Sequence, residues 1–279
     1  ILVPFGMYLL QTTGWRITWA VFGFMVLLLA LPLAWVILKD NPEDIDLSPD
    51  GDQYNQPGKP NPNLKGQIIG PLDTNRWIVS FRSLPMWQMT GSYVVCGATT
   101  GVLSVHFVPY ALGQGISPDL AALIFGFMMF LNILGSLGAG WISDKYNRKN
   151  ILGLVYLIRG FAYMLLLTVP GPLGLWIFAG VAGVSWIATA PLTTALTADV
   201  YGLRALGTIS GISFLFHAIG SFSSVLFAGL MFDLTGSYTV PFLIAGLLLF
   251  PAAISAFTIK EHKYSSRYQP IMVPLPANN

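Results

Sequence analysis

The chain has 279 residues, of which 54% are hydrophobic and 9% are charged, and its formal net charge is +2 at pH 7. This composition excludes a soluble globular domain, in which about a quarter of the residues are charged. Cys96 is the single cysteine, so neither a disulfide framework nor a cysteine-based metal site forms within one chain.

Long apolar runs recur along the chain and predict seven membrane-spanning helices. A hydrocarbon core of about 30 Å requires roughly 20 apolar residues in a helix. The predicted spans are residues 17–38, 85–112, 119–143, 151–169, 173–198, 206–232 and 237–259. The strands of a membrane barrel alternate apolar and polar residues, whereas these runs are continuously apolar. The predicted fold class is therefore an all-α, polytopic membrane protein.

Two further segments complete the predicted domain organisation. Residues 1–12 are apolar but too short to cross a bilayer, and the chain begins with Ile1 rather than Met, so we expect a fragment of a longer protein. Residues 39–84 are rich in Pro, Asn, Asp and Gly, which is typical of a flexible linker. The predicted domains are a helical segment at 1–38, the linker at 39–84, a compact six-helix bundle at 85–260 and a tail at 261–279.

The positions of the basic residues predict the orientation of the spans. Most of the 14 Lys and Arg residues lie in the linker, in the turn at 144–149, at Arg204 and in the tail. The alternate connections, 113–118, 170–172 and 234–238, contain none. Because cytoplasmic loops carry an excess of Lys and Arg, the linker and the C-terminus are predicted to be cytoplasmic, in a plasma (inner) membrane.

The turn between the third and fourth predicted spans carries the most specific motif. Its sequence resembles the loop signature of the major facilitator superfamily at five positions: Gly140, Asp144, Lys145, Arg148 and Lys149. Asn147 stands where the signature has a second glycine, and this departure is mild because Asn tolerates a left-handed backbone better than most residues. In the superfamily the aspartate of the signature docks near the cytoplasmic start of a helix in the opposite half of the transporter.

Motifs along the rest of the chain resemble prokaryotic relatives of the monocarboxylate and oxalate/formate porters. They are Gly14-Trp15-Arg16, His106-Phe-Val-Pro109-Tyr110-Ala, Tyr156-Leu-Ile-Arg159-Gly160, Trp186-Ile-Ala-Thr-Ala-Pro191 and Phe232-Asp233-Leu-Thr-Gly236-Ser-Tyr238. The resemblance implies that residues 1–38 are the end of helix five plus helix six, and 85–259 helices seven to twelve. It also implies alternating access about a central site, with helices seven, eight, ten and eleven lining the cavity and nine and twelve outside it.

The same resemblance shows two departures. Helix eleven of the oxalate/formate porters carries a Lys that faces the anion, and helix eight of the monocarboxylate carriers carries an Asp and an Arg. Of the corresponding spans of this chain, 206–232 contains no Lys, and 119–143 contains no Arg and no Asp apart from Asp119 at its first position. These departures weigh against oxalate as the specific substrate and against proton coupling through helix eight, and His217 is the candidate to take the place of the Lys.

Small residues at helical spacing predict close helix packing. Gly97 and Gly101 are four residues apart, as are Gly207 and Gly211, so each pair opens a strip that another backbone can approach. Pro191 lies inside the predicted span 173–198 and removes a backbone hydrogen bond, which predicts a kink.

Polar residues at mid-depth are the candidate substrate ligands. Arg159 lies about 15 Å from either surface, where it either attracts an anionic substrate or pairs with helix carbonyls or with an acid elsewhere. His217 either binds a carboxylate or carries a proton, or is a neutral ring bonded to a neighbouring helix. Asn132 either binds substrate or cross-links helices.

His106 and Tyr110 complete the candidate set. They share one helix face near the outer end of their span, where they form either an outer gate or an ordinary interfacial belt. The predicted function is secondary active transport of a small organic anion such as a monocarboxylate, with a coupling proton as a further option.

A substrate sensor on the same fold is the alternative function. An enzyme is not expected, because the mid-depth polar residues are single and include no carboxylate, and neither a cofactor nor a metal is implied. The predicted partners are the anion, the lipid bilayer and an N-terminal half of the same transporter, and no nucleic acid.

Overall fold

The structure is a computed structural model that describes residues 2–38 and 70–268. Every regular element in these ranges is helical, which confirms the predicted all-α fold. The described residues belong to two compact units, one formed by 2–38 and the other by 70–268. Residues 39–69 of the predicted linker and 269–279 of the predicted tail lie outside the described residues.

The first unit is a helical hairpin. Helix α1 (Leu2–Thr13) is joined to α2 (Trp15–Met25) at Gly14, whose φ of 79° lies in the region that favours glycine. Phe5 packs edge-on against Phe22 with ring centroids 6.3 Å apart, so α1 folds back on α2. A π-helical turn (Val26–Ala30) and α3 (Leu31–Ile37) then continue α2.

The second unit is a bundle of long antiparallel helices. A short α4 (Trp77–Ser80) precedes α5 (Leu84–Gly113), α6 (Pro118–Lys145), α7 (Arg148–Thr168), α8 (Gly171–Gly183), α9 (Thr189–Tyr201), α10 (Leu206–Thr235) and α11 (Thr239–Phe257), and α12 (Glu261–Tyr264) with a 3-10 turn (Ser266–Tyr268) ends it. Within 2–38 and 70–268, six helices have the length and composition to cross a membrane: Trp15–Ile37, α5, α6, α7, α10 and α11.

Local sequence explains where these helices begin and end. Ser117 caps α6 by accepting a hydrogen bond from the amide of Leu120 at 3.3 Å, and Pro118 occupies the first turn, where its missing N–H costs nothing. Gly236 ends α10 in a left-handed conformation with φ 68°. An aromatic core then joins the helices: Tyr163 of α7 lies 5.6 Å from Phe178 of α8 and 6.1 Å from Phe242 of α11, centroid to centroid.

The predicted span at 173–198 is not one continuous helix, because two helices, α8 and α9, occupy this region and are separated by a break at 184–188. Pro191 lies in the first turn of α9 rather than inside a continuous helix. Its ring nitrogen cannot donate to the carbonyl four residues back, and Gly183 and Ser185, at the end of α8 and in the break, are weaker helix formers than alanine. The predicted kink is therefore a complete interruption of the helix, which we call the helix break (residues 184–188).

The glycine pairs differ in their surroundings. A Cβ at Gly97 would lie 1.9 Å from the carbonyl oxygen of His217, and one at Gly101 would lie 2.2 Å from Oγ of Ser221, so α5 and α10 are in backbone contact there. A Cβ at Gly207 or at Gly211 would meet no atom of the described residues within 4 Å. The expected helix packing at this second pair is not found within the bundle, because both glycines lie on a face of α10 that no described helix covers.

The basic connections meet at one end of the bundle, which we call the basic end. There Arg148, at the start of α7, lies 3.3 Å from Asp199 near the end of α9, and Lys149 Nζ donates to the carbonyl of Phe257 at 3.0 Å. Arg267 donates to the carbonyl of Asp144 at 2.7 Å. The alternation of connections predicted from the Lys and Arg pattern is therefore present in the bundle.

Candidate substrate cavity

A cavity of about 250 Å³ lies where α5 and α10 face the helix break and the start of α9. Three groups of residues line it: Tyr93, Cys96, Thr100 and Ser104 from α5, Trp186, Ile187, Thr189 and Ala190 from the break and α9, and Phe214 and His217 from α10. The lining is thus aromatic and hydroxyl-bearing. In the part of the chain that the structure describes, it includes no Asp, Glu, Lys or Arg.

His217 is the one predicted mid-depth ligand that lines this cavity. Its ring stacks on Phe214 with centroids 5.4 Å apart and an interplanar angle of 9°, and lies 4.7 Å from the ring of Tyr93. Its Nε2 is 3.4 Å from Oγ1 of Thr100. The close α5–α10 contact at Gly97 places this imidazole beside α5. An imidazole held between two rings can present a hydrogen-bond donor to a carboxylate.

A second cavity of about 420 Å³ adjoins the first on the side of the basic end. Tyr93, Ala190 and Phe214 border both cavities, and the remaining lining residues are Thr193, Thr194, Thr197, Ser210, Gly211 and Ser213. Sequence reasoning missed this hydroxyl-rich lining. The signal was present in the threonines of α9, because Thr193 and Thr197 are four residues apart and share a helix face.

Arg159 does not line either cavity and is fully buried behind the first one. Its Nη2 donates to the carbonyl oxygens of Ser185 and Trp186 in the helix break. Its Nη1 lies 3.4 Å from Sγ of Cys96, and its Cζ is 5.8 Å from the centre of the Trp186 ring. Within 70–268 the guanidinium has no carboxylate partner, and its contacts are the two carbonyls of the break, a thiol and an indole ring.

Asn132 of α6 contacts the same break from the opposite side. Its Oδ1 accepts a hydrogen bond from the amide of Ile187 at 2.9 Å and another from Oγ of Ser136 at 3.4 Å. Asn132 therefore cross-links α6 to the break, and it lines neither cavity.

His106 and Tyr110 lie outside both cavities, towards the end of the bundle opposite the basic end. His106 Nε2 is 3.1 Å from the carbonyl of Val225, and its ring is 5.0 Å from that of Tyr238. The hydroxyl of Tyr110 donates to the carbonyl of Leu166 at 3.3 Å. The structure thus places His217 in the cavity lining and Arg159 and Asn132 in the outer wall. His106 and Tyr110 lie in neither place.

At the basic end, the turn at 140–149 is built around Arg148. Its guanidinium lies 3.3 Å from Asp144 and 3.3 Å from Asp199. Lys145 lies over the Trp141 ring at 3.7 Å. Asn147 has φ −62° and ψ 120°, so it is not left-handed, and the reason given for its replacing a glycine does not hold. Its amide nitrogen instead lies 3.2 Å from Nε2 of His262.

Two acids that sequence reasoning did not single out complete this cluster. Glu261 is fully buried, and its carboxylate accepts the backbone amides of Arg148 at 3.1 Å and Lys149 at 3.0 Å, which caps the start of α7. Burial raises the pKa of Asp199 to about 6, although the neighbouring Arg148 acts in the opposite direction. Neither role is readable from the sequence, because both contacts join residues far apart in the chain.

Relatives of this chain are transporters. The rat protein "Monocarboxylate transporter 12" (Rattus norvegicus) is 27% identical over 98% of this chain and 58% of its own length. The "Uncharacterized MFS-type transporter YcxA" of Bacillus subtilis is 26% identical over 81% of this chain and 52% of its own length. The chain thus spans between half and two thirds of the length of these two proteins.

A solved structure and a family model agree with these relatives. The fucose:proton symporter FucP of E. coli superposes with a TM-score of 0.53 at 19% identity, over 65% of this chain and 45% of that one, which shows a shared fold. The model described as Major Facilitator Superfamily matches residues 1–225 and, in a second alignment, 91–271. Members of this superfamily are membrane transporters rather than enzymes. The chain belongs to the major facilitator superfamily.

Proposed function

We propose that this chain forms the substrate-binding part of a secondary active transporter for a small organic anion, with a monocarboxylate as the substrate class. The observation that carries the proposal is the position of His217 in a cavity whose described lining contains hydroxyls and aromatic rings but no carboxylate. A carboxylate placed there meets hydrogen-bond donors on three helices and no like charge.

The electrostatics of the wall support an anion. Arg159 lies directly behind Cys96 and Trp186, which both line the cavity. A charge surrounded by protein and hydrocarbon is screened far less than one in water, so the field of this guanidinium extends into the cavity. The anion therefore gains from Arg159 without touching it, and takes its direct hydrogen bonds from His217 and the hydroxyls.

The relatives support the same class of substrate. Proteins named monocarboxylate transporter 12 match most of this chain in rat and in zebrafish (Danio rerio), at 27% and 25% identity. These relatives are longer, and in the superfamily the site lies between two halves. We therefore propose that the first unit and the bundle act together with further helices in alternating access, and that the domain boundaries predicted at 38, 84 and 260 hold.

The orientation and the remaining candidates belong to the same proposal. With the Lys and Arg residues of 144–149, 204 and 260–267 at one end of the bundle, the positive-inside rule places that end in the cytoplasm of a plasma membrane. Of the two predicted roles for His106 and Tyr110, an outer contact for the substrate and an ordinary interfacial belt, we propose the first, and it requires that uptake falls in both His106→Ala and Tyr110→Phe.

Uptake into proteoliposomes tests the proposal directly. The protein that contains these 279 residues is reconstituted into liposomes. Uptake of radiolabelled L-lactate and pyruvate is then measured under an imposed pH gradient. We expect saturable uptake that falls at least about tenfold in His217→Ala, because the anion loses a charge-assisted hydrogen bond. His262→Ala at the basic end is the matched control and is expected to retain uptake.

Two outcomes contradict the proposal. Absence of uptake with every small carboxylate removes the substrate class. Binding of the anion without any flux identifies a sensor instead of a transporter.

A further inference from the structure

We propose that Arg159 and Asn132 are positioning residues that hold the helix break at 184–188 and so fix the wall of the cavity opposite His217. Two readouts test it. Lactate uptake rests on the proposed transport function, whereas chemical modification of Cys96 in the cavity wall does not. The proposal assigns both residues to the framework of the site rather than to direct contact with the anion.

The helix break leaves backbone carbonyl and amide groups without partners in a helix, and Arg159 and Asn132 supply hydrogen-bond partners for them. Where a helix stops, backbone carbonyl and amide groups lose their partners in the helix, and within a membrane there is little water to replace them. Arg159 donates to the carbonyls of Ser185 and Trp186, and Asn132 accepts from the amide of Ile187 at 2.9 Å. Three consecutive residues of the break are therefore held by side chains from α7 and α6.

The geometry suits arginine and not lysine at this position. A single terminal nitrogen, Nη2, serves both carbonyls while Nη1 points to Cys96. The guanidinium presents several donors in a fixed plane, whereas an ammonium group is a compact point charge that is more strongly hydrated. Replacement by lysine keeps the charge but loses the simultaneous contacts to the break and to α5.

The backbone of the break and of the end of α8 is in close contact with α6. A Cβ at Gly135 of α6 would lie 2.0 Å from the carbonyl oxygen of Val184, and one at Gly183 would lie 2.8 Å from that of Met128. The break therefore packs directly on α6 on the side where Asn132 holds Ile187. Arg159 approaches from α7, so the segment is fixed from two directions.

The same contacts reach the cavity surface. Trp186 and Ile187, whose backbone groups are held, both line the cavity. Cys96 Sγ, next to Arg159, lies 3.0 Å from Oγ1 of Thr189, another lining residue. Arg159 thus ties α5, α7 and the break together behind the surface that the substrate meets. Since its side chain is fully buried, Arg159 shapes the cavity wall through these groups and does not touch the substrate.

Cys96 provides a readout that is independent of transport. It is the single cysteine of the 279 residues and is 2% exposed. Its Sγ lies 3.4 Å from Nη1 of Arg159, which together with Asn132 holds the helix break; we call these two side chains the clamp. We expect alkylation of Cys96 by N-ethylmaleimide, quantified on the Cys96 peptide by mass spectrometry, to be slow in the native protein. In Arg159→Lys the rate rises at least about tenfold, because the break opens locally more often. Arg204→Lys, at an exposed loop position, is the matched control and leaves the rate unchanged.

A second pair of variants separates positioning from contact with the anion. Asn132→Asp keeps an acceptor for the amide of Ile187, whereas Asn132→Leu removes it. Positioning predicts that the slow alkylation of Cys96 persists in Asn132→Asp and is lost in Asn132→Leu, in which lactate uptake is lost as well. Direct contact with the anion, without positioning, predicts that uptake is lost in Asn132→Leu while the alkylation of Cys96 stays as slow as in the native protein.

The outcomes are distinguishable from failure of the proposed function. Unchanged Cys96 alkylation in Arg159→Lys and Asn132→Leu overturns the clamp, whatever the substrate proves to be. Faster alkylation in both variants supports the clamp even when lactate and pyruvate are not transported, in which case only the proposed substrate class fails.

Discussion

The guanidinium of Arg159 donates a hydrogen bond to the main-chain carbonyl of Ser185, 26 residues further along the chain and two residues past the end of α8. The same nitrogen also donates to the next carbonyl, that of Trp186. A buried charge in a span normally has a counter-ion or a functional ligand. Here backbone dipoles released by an interrupted helix solvate it, and the interruption forms part of the cavity wall.

Removal of this charge is expected to destabilise the bundle. In Arg159→Met two carbonyls of the break lose their donor, and each unsatisfied buried group costs about 1–3 kcal/mol. We expect the midpoint of thermal unfolding in detergent to fall by several degrees. Arg204→Met, which changes an exposed residue, is the control. An equal midpoint in the native protein and Arg159→Met would contradict the assigned contacts.

A methyl group at Gly97 is expected to separate α5 from α10. The added Cβ would lie 1.9 Å from the carbonyl of His217, and forced overpacking of this kind typically costs about 1–3 kcal/mol. Gly97→Ala should therefore unfold at a lower temperature than the native protein. Gly91→Ala, on the same helix with no atom within 4 Å of its Cβ, should not. Similar midpoints for the two variants would show that the helices do not touch at Gly97.

The stability of the basic end is expected to depend on pH through Asp199. Burial raises the pKa of Asp199 from 3.8 to about 6. Between these values the folded state binds more protons than the unfolded state, so the contribution of Asp199 to stability decreases as the pH rises from about 4 to about 6 and is constant above that. Asp199→Asn should remove this component. Thermal unfolding at pH 4.5 and pH 7 measures it, and an identical pH profile in the variant would refute the assignment.

Restoring the superfamily glycine at position 147 is expected to destabilise this chain. Asn147 has φ −62°, so glycine brings no relief of strain, and its side chain contacts His262 and the hydroxyl of Tyr268. Asn147→Gly should lower the free energy of unfolding by about 1–2 kcal/mol through lost hydrogen bonds and added backbone freedom. Asn147→Ala, which loses only the hydrogen bonds, should lie between the two. A more stable glycine variant would mean that the turn is strained.

Much of this architecture could be predicted without coordinates. Continuous apolar runs identify helices that cross a bilayer because length and hydrophobicity are properties of the chain itself. The spacing of basic residues gives the alternation of connections for the same reason, and the signature at 140–149 gives the superfamily. His217 was a candidate because a mid-span histidine is unusual, and it lies in the cavity.

Other features depend on which helices meet, and no local pattern encodes that. The sequence left Arg159 and Asn132 open between contact with a substrate and bonding to neighbouring helices, and it did not show that their partners are backbone groups of a helix break. Glu261, in the predicted tail, is a buried cap for α7. The sequence by itself thus determined the all-α membrane fold and the family, through hydrophobicity and the loop signature. Only the tertiary structure decided which polar groups face the cavity and which satisfy the backbone, because hydrogen-bond partners in hydrocarbon come from neighbouring helices.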